Sequence, residues 1–369
     1  MPVRLSLLAA LLAGSVVVAA DAPPDKLAPY FKPPAEFATD FGGYRSPLTF
    51  DDGTAVKNAK DWEKRRAEIL KYWHGEMGAW PALIEKPKVE LGPKEDRDGV
   101  AQHKLKIETA PGRVVDDAYL LVPPGKGPFP ALVVVFYEAD TAVGKGKAEF
   151  RDFAIQLAKR GFVALSLGGN PNTYYPNKEK CRIQPLSFHA YEAANCHTAL
   201  ANMPNVDPKR IGIVGHSYGG KWAMFAAALY DKFACCATSD PGIVFDEKRG
   251  NVNYWEPWYL GFDPMLNAQR KSGIPSEQNP RTGPYKKMMA DKRDLHELHA
   301  LMAPRPFLVS GGAEDQPERW KALNHSVAVN KLLGAENRVA MTNRKGHSPT
   351  AESNDALYLF FESVLKPGK

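Results

Sequence analysis

Gly215-His216-Ser217-Tyr218-Gly219 is a G-x-S-x-G pattern whose flanks give it chemical meaning. Upstream, Arg210-Ile211-Gly212-Ile213-Val214 is a short β-branched run entered from the turn Asn205-Val206-Asp207-Pro208. Downstream, Trp222 to Leu229 is rich in helix formers and holds no breaker. Strand, sharp turn and helix together make a nucleophile elbow, whereas the five-residue pattern alone recurs by chance. Glycines flank the serine because a Cβ there would strike the neighbouring strand or helix. The turn lifts Ser217 Oγ above a sheet and aims a helix N-terminus at a developing oxyanion.

Serine is a poor nucleophile until a histidine accepts its proton and an acid orients that histidine. The elbow predicts the chain order serine, acid, histidine. Of the nine histidines, His347 fits the base, because it sits in the loop Arg344-Lys345-Gly346-His347-Ser348-Pro349 between a late strand and the last helix. Three carboxylates compete to be the acid. Asp315 is preferred, three residues beyond Gly312 and at the end of the Phe307-Leu308-Val309-Ser310 strand. Asp240, in Ser239-Asp240-Pro241-Gly242, is second, and Glu314 is third. The oxyanion hole would take the backbone N–H of Tyr218 and a second N–H near Tyr137-Glu138. Lys221 lies one helical turn past the serine, near the expected cleft mouth, where an ammonium can meet a carboxylate or a sugar hydroxyl.

Other chemistries find little support. His296 and His299 are three apart and could share a helical face, but no third ligand accompanies them. Gly144-Lys145-Gly146-Lys147 lacks the phosphate-loop spacing. Neither a metal nor any other cofactor is expected.

The elements that must position these groups alternate. Asn58–Tyr72 has helical spacing, with Trp62, Ile69 and Leu70 near one face. Strands are expected at Pro87–Leu91, His103–Ile107 and Asp117–Val122, then at Ala131–Phe136 and Phe162–Leu167. Further strands follow at Ala234–Ser239, Phe307–Ser310 and Arg338–Met341. Helices are expected at Phe150–Arg160, Ser187–Met203, after the elbow, and at Asp355–Leu365. Such alternation predicts an α/β fold with a doubly wound, mostly parallel sheet and hairpin-like strands at one edge. Residues 246–294 are too long for a plain connection and carry the aromatic run Asn253–Phe262. We expect a cap or cleft wall there, with Trp255 and Trp258 facing substrate, in preference to a satellite core.

At 369 residues, 44% hydrophobic and 24% charged, the chain can bury a full core, and disorder or a fibrous repeat is excluded. A formal net charge of +6 is spread along the chain and does not suggest nucleic-acid binding. Arg4 followed by the apolar stretch Leu5–Val18 and by Val18-Ala19-Ala20 reads as a cleaved signal peptide over residues 1–20. That run is shorter than the roughly 20 residues of a membrane span. Secretion or export to a periplasm is therefore expected, with no membrane attachment after cleavage. Residues 21–57 read as an extended segment, and 58–369 as the catalytic domain. In an oxidising compartment Cys181 and Cys196 could pair, while Cys235 and Cys236 read as buried thiols; three pairings remain open.

From about residue 58 to the end, the chain resembles the α/β-hydrolase superfamily. Within it the chain resembles secreted bacterial carbohydrate esterases, nearest the glucuronoyl esterase family. Lys221 directly after the elbow glycines, the run Asp294–Pro306, and Asp240 two residues before Gly242 carry the resemblance. It implies that Lys221 contacts the uronic acid of a substrate. It also marks a departure, because that family has arginine directly after its nucleophile and this chain has Tyr218. The expected function is a serine esterase acting through an acyl-enzyme on a polysaccharide or small-molecule acetyl or glucuronoyl ester. A prolyl-oligopeptidase-like peptidase is the enzymatic alternative, although the chain has no room for a β-propeller. An inactive hydrolase-fold binding protein is the other, although it would have no reason to keep the three residue types in order.

Overall fold

The computed structural model describes residues 23–146, 149–250, 252–266 and 273–366. The expected signal peptide lies outside them. In chain order the elements are helix α1 (Ala59–Met77), strands β1 (Val89–Arg97), β2 (Val100–Ala110), β3 (Arg113–Val122) and β4 (Phe129–Phe136), helices α2 (Ala139–Ala142) and α3 (Phe153–Lys159), and strand β5 (Val163–Gly168). Helix α4 (Pro185–Ala201), β6 (Val206–His216), α5 (Tyr218–Leu229) and β7 (Cys236–Ser239) come next. The chain continues through α6 (Gly283–Ala290), α7 (His296–Leu301), β8 (Phe307–Gly311), α8 (Trp320–Leu332), β9 (Val339–Asn343) and α9 (Ala351–Leu365).

The strands form one sheet in the order β1-β2-β3-β5-β4-β6-β7-β8-β9. Pairings from β1 to β5 across β2 and β3 are antiparallel. From β5 through β4 to β9 every pairing is parallel. The chain runs outward one way from β4 to β5 and the other way from β6 onward. The C-terminal ends of β4 and β6 therefore flank a topological switch, where doubly wound sheets leave a crevice.

Alternation in β4 explains why that strand is apolar throughout. Ala131, Val133 and Val135 pack into a layer with α1, α4, α5, α7 and α8. Leu132 and Val134 pack into the opposite layer with α3 and α9. Both faces are covered, so neither tolerates polar residues. On α1 the buried face is Trp62, Ile69, Trp73 and Met77, with Leu70 only half-buried. Asn58 caps that helix by accepting the Asp61 N–H. Residues 23–57 are largely irregular but tied down: Asn324 Nδ2 donates to the carbonyls of Phe37 and Asp40, and His325 meets that of Phe41.

The structure does not pair Cys181 with Cys196, and it bears out Cys235 and Cys236 as buried thiols. Cys181, Cys196, Cys235 and Cys236 are all free thiols. Cys196 packs into the core from the middle of α4, so it behaves as a small hydrophobe.

Candidate active site

Ser217 sits between β6 and α5 with φ +56° and ψ −119°, a conformation rare for a residue with a side chain. Its N–H donates to Ser239 O at 2.8 Å, and its carbonyl accepts the Lys221 N–H at 3.0 Å. The glycines are sterically required. A Cβ on Gly215 would lie 2.2 Å from Gly219 O, and one on Gly219 would lie 2.1 Å from Val135 O. Tyr218 opens α5, so its N–H has no partner within the helix. Tyr137 follows β4, and its ring stacks on that of Tyr218 at 5.3 Å.

The loop after β9 brings His347 to the serine. Its Nε2 lies 2.9 Å from Ser217 Oγ, and its Nδ1 lies 2.7 Å from Asp240 Oδ2. Asp240, wholly buried in the turn after β7, also accepts the Glu314 and Asp315 N–H groups. These donors and the imidazole together satisfy a carboxylate.

Asp315, the preferred acid from sequence, does not touch His347. Its carboxyl accepts the N–H groups of Gly242 and Ile243 at 2.8 and 2.7 Å. Burial and the neighbouring Asp240 charge push it up to about 6. The two aspartates thus brace each other's turns, and only Asp240 reaches the imidazole. Glu314 instead lies within 3.8 Å of Arg249.

Lys221 departs from expectation in its depth. It is only 3% exposed, and its ammonium lies 5.3 Å from the Tyr254 ring and 5.2 Å from the Tyr259 ring. Burial pulls it down to about 8, against the opposing pull of Asp315, Glu314 and Asp240. Among the described residues the ammonium has no carboxylate within salt-bridge distance. Trp255 cannot face a cleft as expected, being 0% exposed and packed near Tyr285. Trp258 is half-buried beside Tyr259, whose ring also meets Tyr218. The long connection after β7 is therefore partly an extension of the main core, through Tyr254, Trp255 and Leu260, and partly a wall against the elbow helix, through Tyr259.

His296 and His299 are structural supports: their Nε2 atoms meet the carbonyls of Arg45 and Ile243. Burial pulls them down to about 3 and about 4.

Two residues of the site escaped the sequence reading. Arg344 donates to Ser310 O, Ser239 Oγ, His347 O and Ser348 O, joining the tips of β7 and β8 to the histidine loop. Its place three residues before His347 was the signal, but nothing local showed what it would bind. His216, within the elbow motif itself, packs on the His347 ring at 4.7 Å and bonds Ser239 through Nδ1.

A mostly parallel sheet with a strained serine at its switch point, and a histidine loop reaching back from the last strand, decides the class. The chain is an α/β-hydrolase-fold protein. Models of the dienelactone hydrolase family and the prolyl oligopeptidase family match residues 117–239 and 189–356. Acyl-coenzyme A thioesterase 3 of Mus musculus is 26% identical over 249 residues, 66% of this chain and 51% of that protein. A 4-O-methyl-glucuronoyl methylesterase of Schizophyllum commune is 23% identical over 295 residues, 71% of this chain and 65% of that protein. The hydrolase-fold chain thus spans from about half to just under two thirds of these two relatives. Among solved structures, a glucuronoyl esterase from Solibacter usitatus superposes with a TM-score of 0.65 at 18% identity. The match covers 88% of this chain and 98% of that one.

Proposed function

We propose that the chain is an exported serine hydrolase that cleaves carboxylic esters of a sugar or polysaccharide, of acetyl or glucuronoyl type. The observation that carries the reading is the Ser217–His347–Asp240 chain of hydrogen bonds at 2.9 and 2.7 Å. His347 Nε2 takes the Ser217 proton as Oγ attacks the ester carbonyl, then returns it to the leaving alcohol. Water repeats the sequence on the acyl-enzyme. Asp240 holds Nδ1–H, which fixes the tautomer and supports the imidazolium that forms. The Tyr218 N–H and an N–H at Tyr137 receive the oxyanion.

Lys221 and the half-buried Trp258 form the wall proposed to meet the sugar, with the long connection after β7 as their scaffold. Similarity to glucuronoyl methylesterases supports the substrate class. The N-terminal sequence supports export, and no helix among the described residues is long and apolar enough to cross a membrane. The test is a substrate panel with purified protein: methyl glucuronate esters, acetylated xylan, nitrophenyl acetate and a proline-containing peptide anilide. Turnover of a sugar ester, together with fluorophosphonate labelling of Ser217, is the expected result. Cleavage of the anilide alone would move the reading to a peptidase, and no labelling at all would end the serine-hydrolase assignment.

A further inference from the structure

A buried polar cluster that the proposed reaction does not use surrounds His189 on α4. Its Nδ1 lies 2.8 Å from Glu192 Oε2, and its Nε2 lies 3.0 Å from Asn170 O. The other oxygen of Glu192 accepts Thr109 Oγ1–H at 2.7 Å and Arg113 Nε–H at 2.8 Å. Burial raises this carboxyl, but its bond to His189, the Arg113 charge and the Thr109 bond work against that, and Glu192 lies below the usual carboxylate range. A backbone carbonyl only accepts, and so does an ionised carboxylate. Neutral imidazole offers one donor nitrogen and one acceptor, whereas imidazolium offers two donors. Both ring nitrogens of His189 face acceptors, so only the imidazolium satisfies both.

The cluster grips a specific turn. Asn170 belongs to the chain leaving β5, and the adjacent Gly169 N–H lies 3.0 Å from Phe136 O and 3.1 Å from Tyr137 O. That turn is thereby bonded to the end of β4, where the second oxyanion donor is proposed. The His189 ring also packs on Trp222 at 4.5 Å and Tyr218 at 5.9 Å, both on the elbow helix. Trp222 Nε1 donates to His189 O. The fit leaves no slack: a Cβ on Gly169 would lie 2.4 Å from the Trp222 ring and 3.1 Å from His189 Cε1.

We propose that His189, as a buried imidazolium paired with Glu192, is a positioning residue that clamps the Asn170 turn onto the end of β4 and so fixes the oxyanion side of the site. The proposal rests on the serine-hydrolase reading given above. The groups facing the ring are Glu192 on α4, the Asn170 carbonyl after β5, and Tyr218 and Trp222 on α5. Arg113 on β3 and Thr109 on β2 stand behind Glu192. A single N–H would be held by the charged Glu192, because charge-assisted hydrogen bonds are the stronger, so it is the second N–H that reaches Asn170 O.

Nitrogen-15 NMR of the histidine-labelled full chain at pH 7 tests the protonation directly, with the His189 signal assigned by its loss in His189→Gln. Two protonated nitrogens are expected, and a neutral tautomer overturns the proposal. A second variant, Glu192→Gln, should convert the His189 signal to the neutral pattern; an unchanged signal there also counts against the pairing. In kinetics, His189→Gln should lower kcat on nitrophenyl acetate about ten- to a hundredfold, the scale of a small misplacement of catalytic groups, with KM within about twofold. Unchanged kcat sinks the positioning role. Fluorophosphonate labelling of the parent protein at Ser217 reports separately on the underlying hydrolase reading.

Discussion

Asp240 and Asp315 are both buried, each accepts backbone N–H groups from the other's turn, and only Asp240 touches an imidazole. Their losses should therefore differ in kind. Asp240→Asn removes the acceptor that fixes the His347 tautomer, and kcat should fall by about three to four orders of magnitude. Asp315→Asn should leave kcat within about tenfold and show itself in stability. The reverse order in side-by-side kinetics would return the role to Asp315. Ser217→Ala should keep the fold and lower ester turnover by at least about three orders of magnitude; residual activity within tenfold of the parent would remove the serine from the mechanism. Lys221 makes a finer prediction. If its ammonium reads a sugar, Lys221→Met should raise KM on a sugar ester about five- to thirtyfold, the worth of roughly 1–2 kcal/mol. Hydrolysis of nitrophenyl acetate should hardly change, and equal effects on both substrates would make the lysine a support of the elbow.

The elements meet at their tips, and Arg344 ties three of them together. Its guanidinium binds the ends of β7 and β8 and the carbonyls of His347 and Ser348. Arg344→Met should lower kcat by about a hundredfold through displacement of the loop, while KM changes little. Lysine keeps the charge but lacks the planar fork, so Arg344→Lys should restore only part of the loss. Full recovery with lysine would show that charge alone was needed. The elbow has its own steric limit. Gly219→Ala places a methyl 2.1 Å from the backbone oxygen of Val135, which neither strand nor helix can yield cheaply. Soluble, fully active Gly219→Ala protein would contradict the packing of α5 on β4.

Across the whole molecule, the buried carboxyl of Asp315 links stability to pH. Burial and the Asp240 charge raise its pKa to about 6 from the ordinary aspartate value of 3.8. Between those values the unfolded chain has released this proton while the folded chain retains it, so this group's contribution to stability falls as pH rises. Thermal melts should show the melting temperature of the parent falling relative to Asp315→Asn from pH 4 to pH 6. A constant difference across that range would mean that the carboxyl titrates normally. Much of this molecule was legible locally. The β-branched run before Ser217, the glycines around it and the breaker-free helix after it are short-range features, and they specified the elbow and its helix. The apolar run of β4 likewise announced a strand covered on both faces. Helix α8 carries no local signal that singled it out although its Trp320 and Leu323 lie in the core, and Leu70 packs against that core but only half-buried, beside the fully buried Trp73. Sequence by itself determined the alternating α/β order, the serine and the histidine loop, because each depends on neighbours a few residues away. Only the tertiary structure decided which aspartate meets His347. Ser239 and Ser310 pair in register on adjacent parallel strands, so both carboxylates emerge at the same edge, and the direction of each turn makes the choice. It also buried Trp255 and Lys221, because how the connection after β7 folds against α5 depends on contacts that no local pattern records.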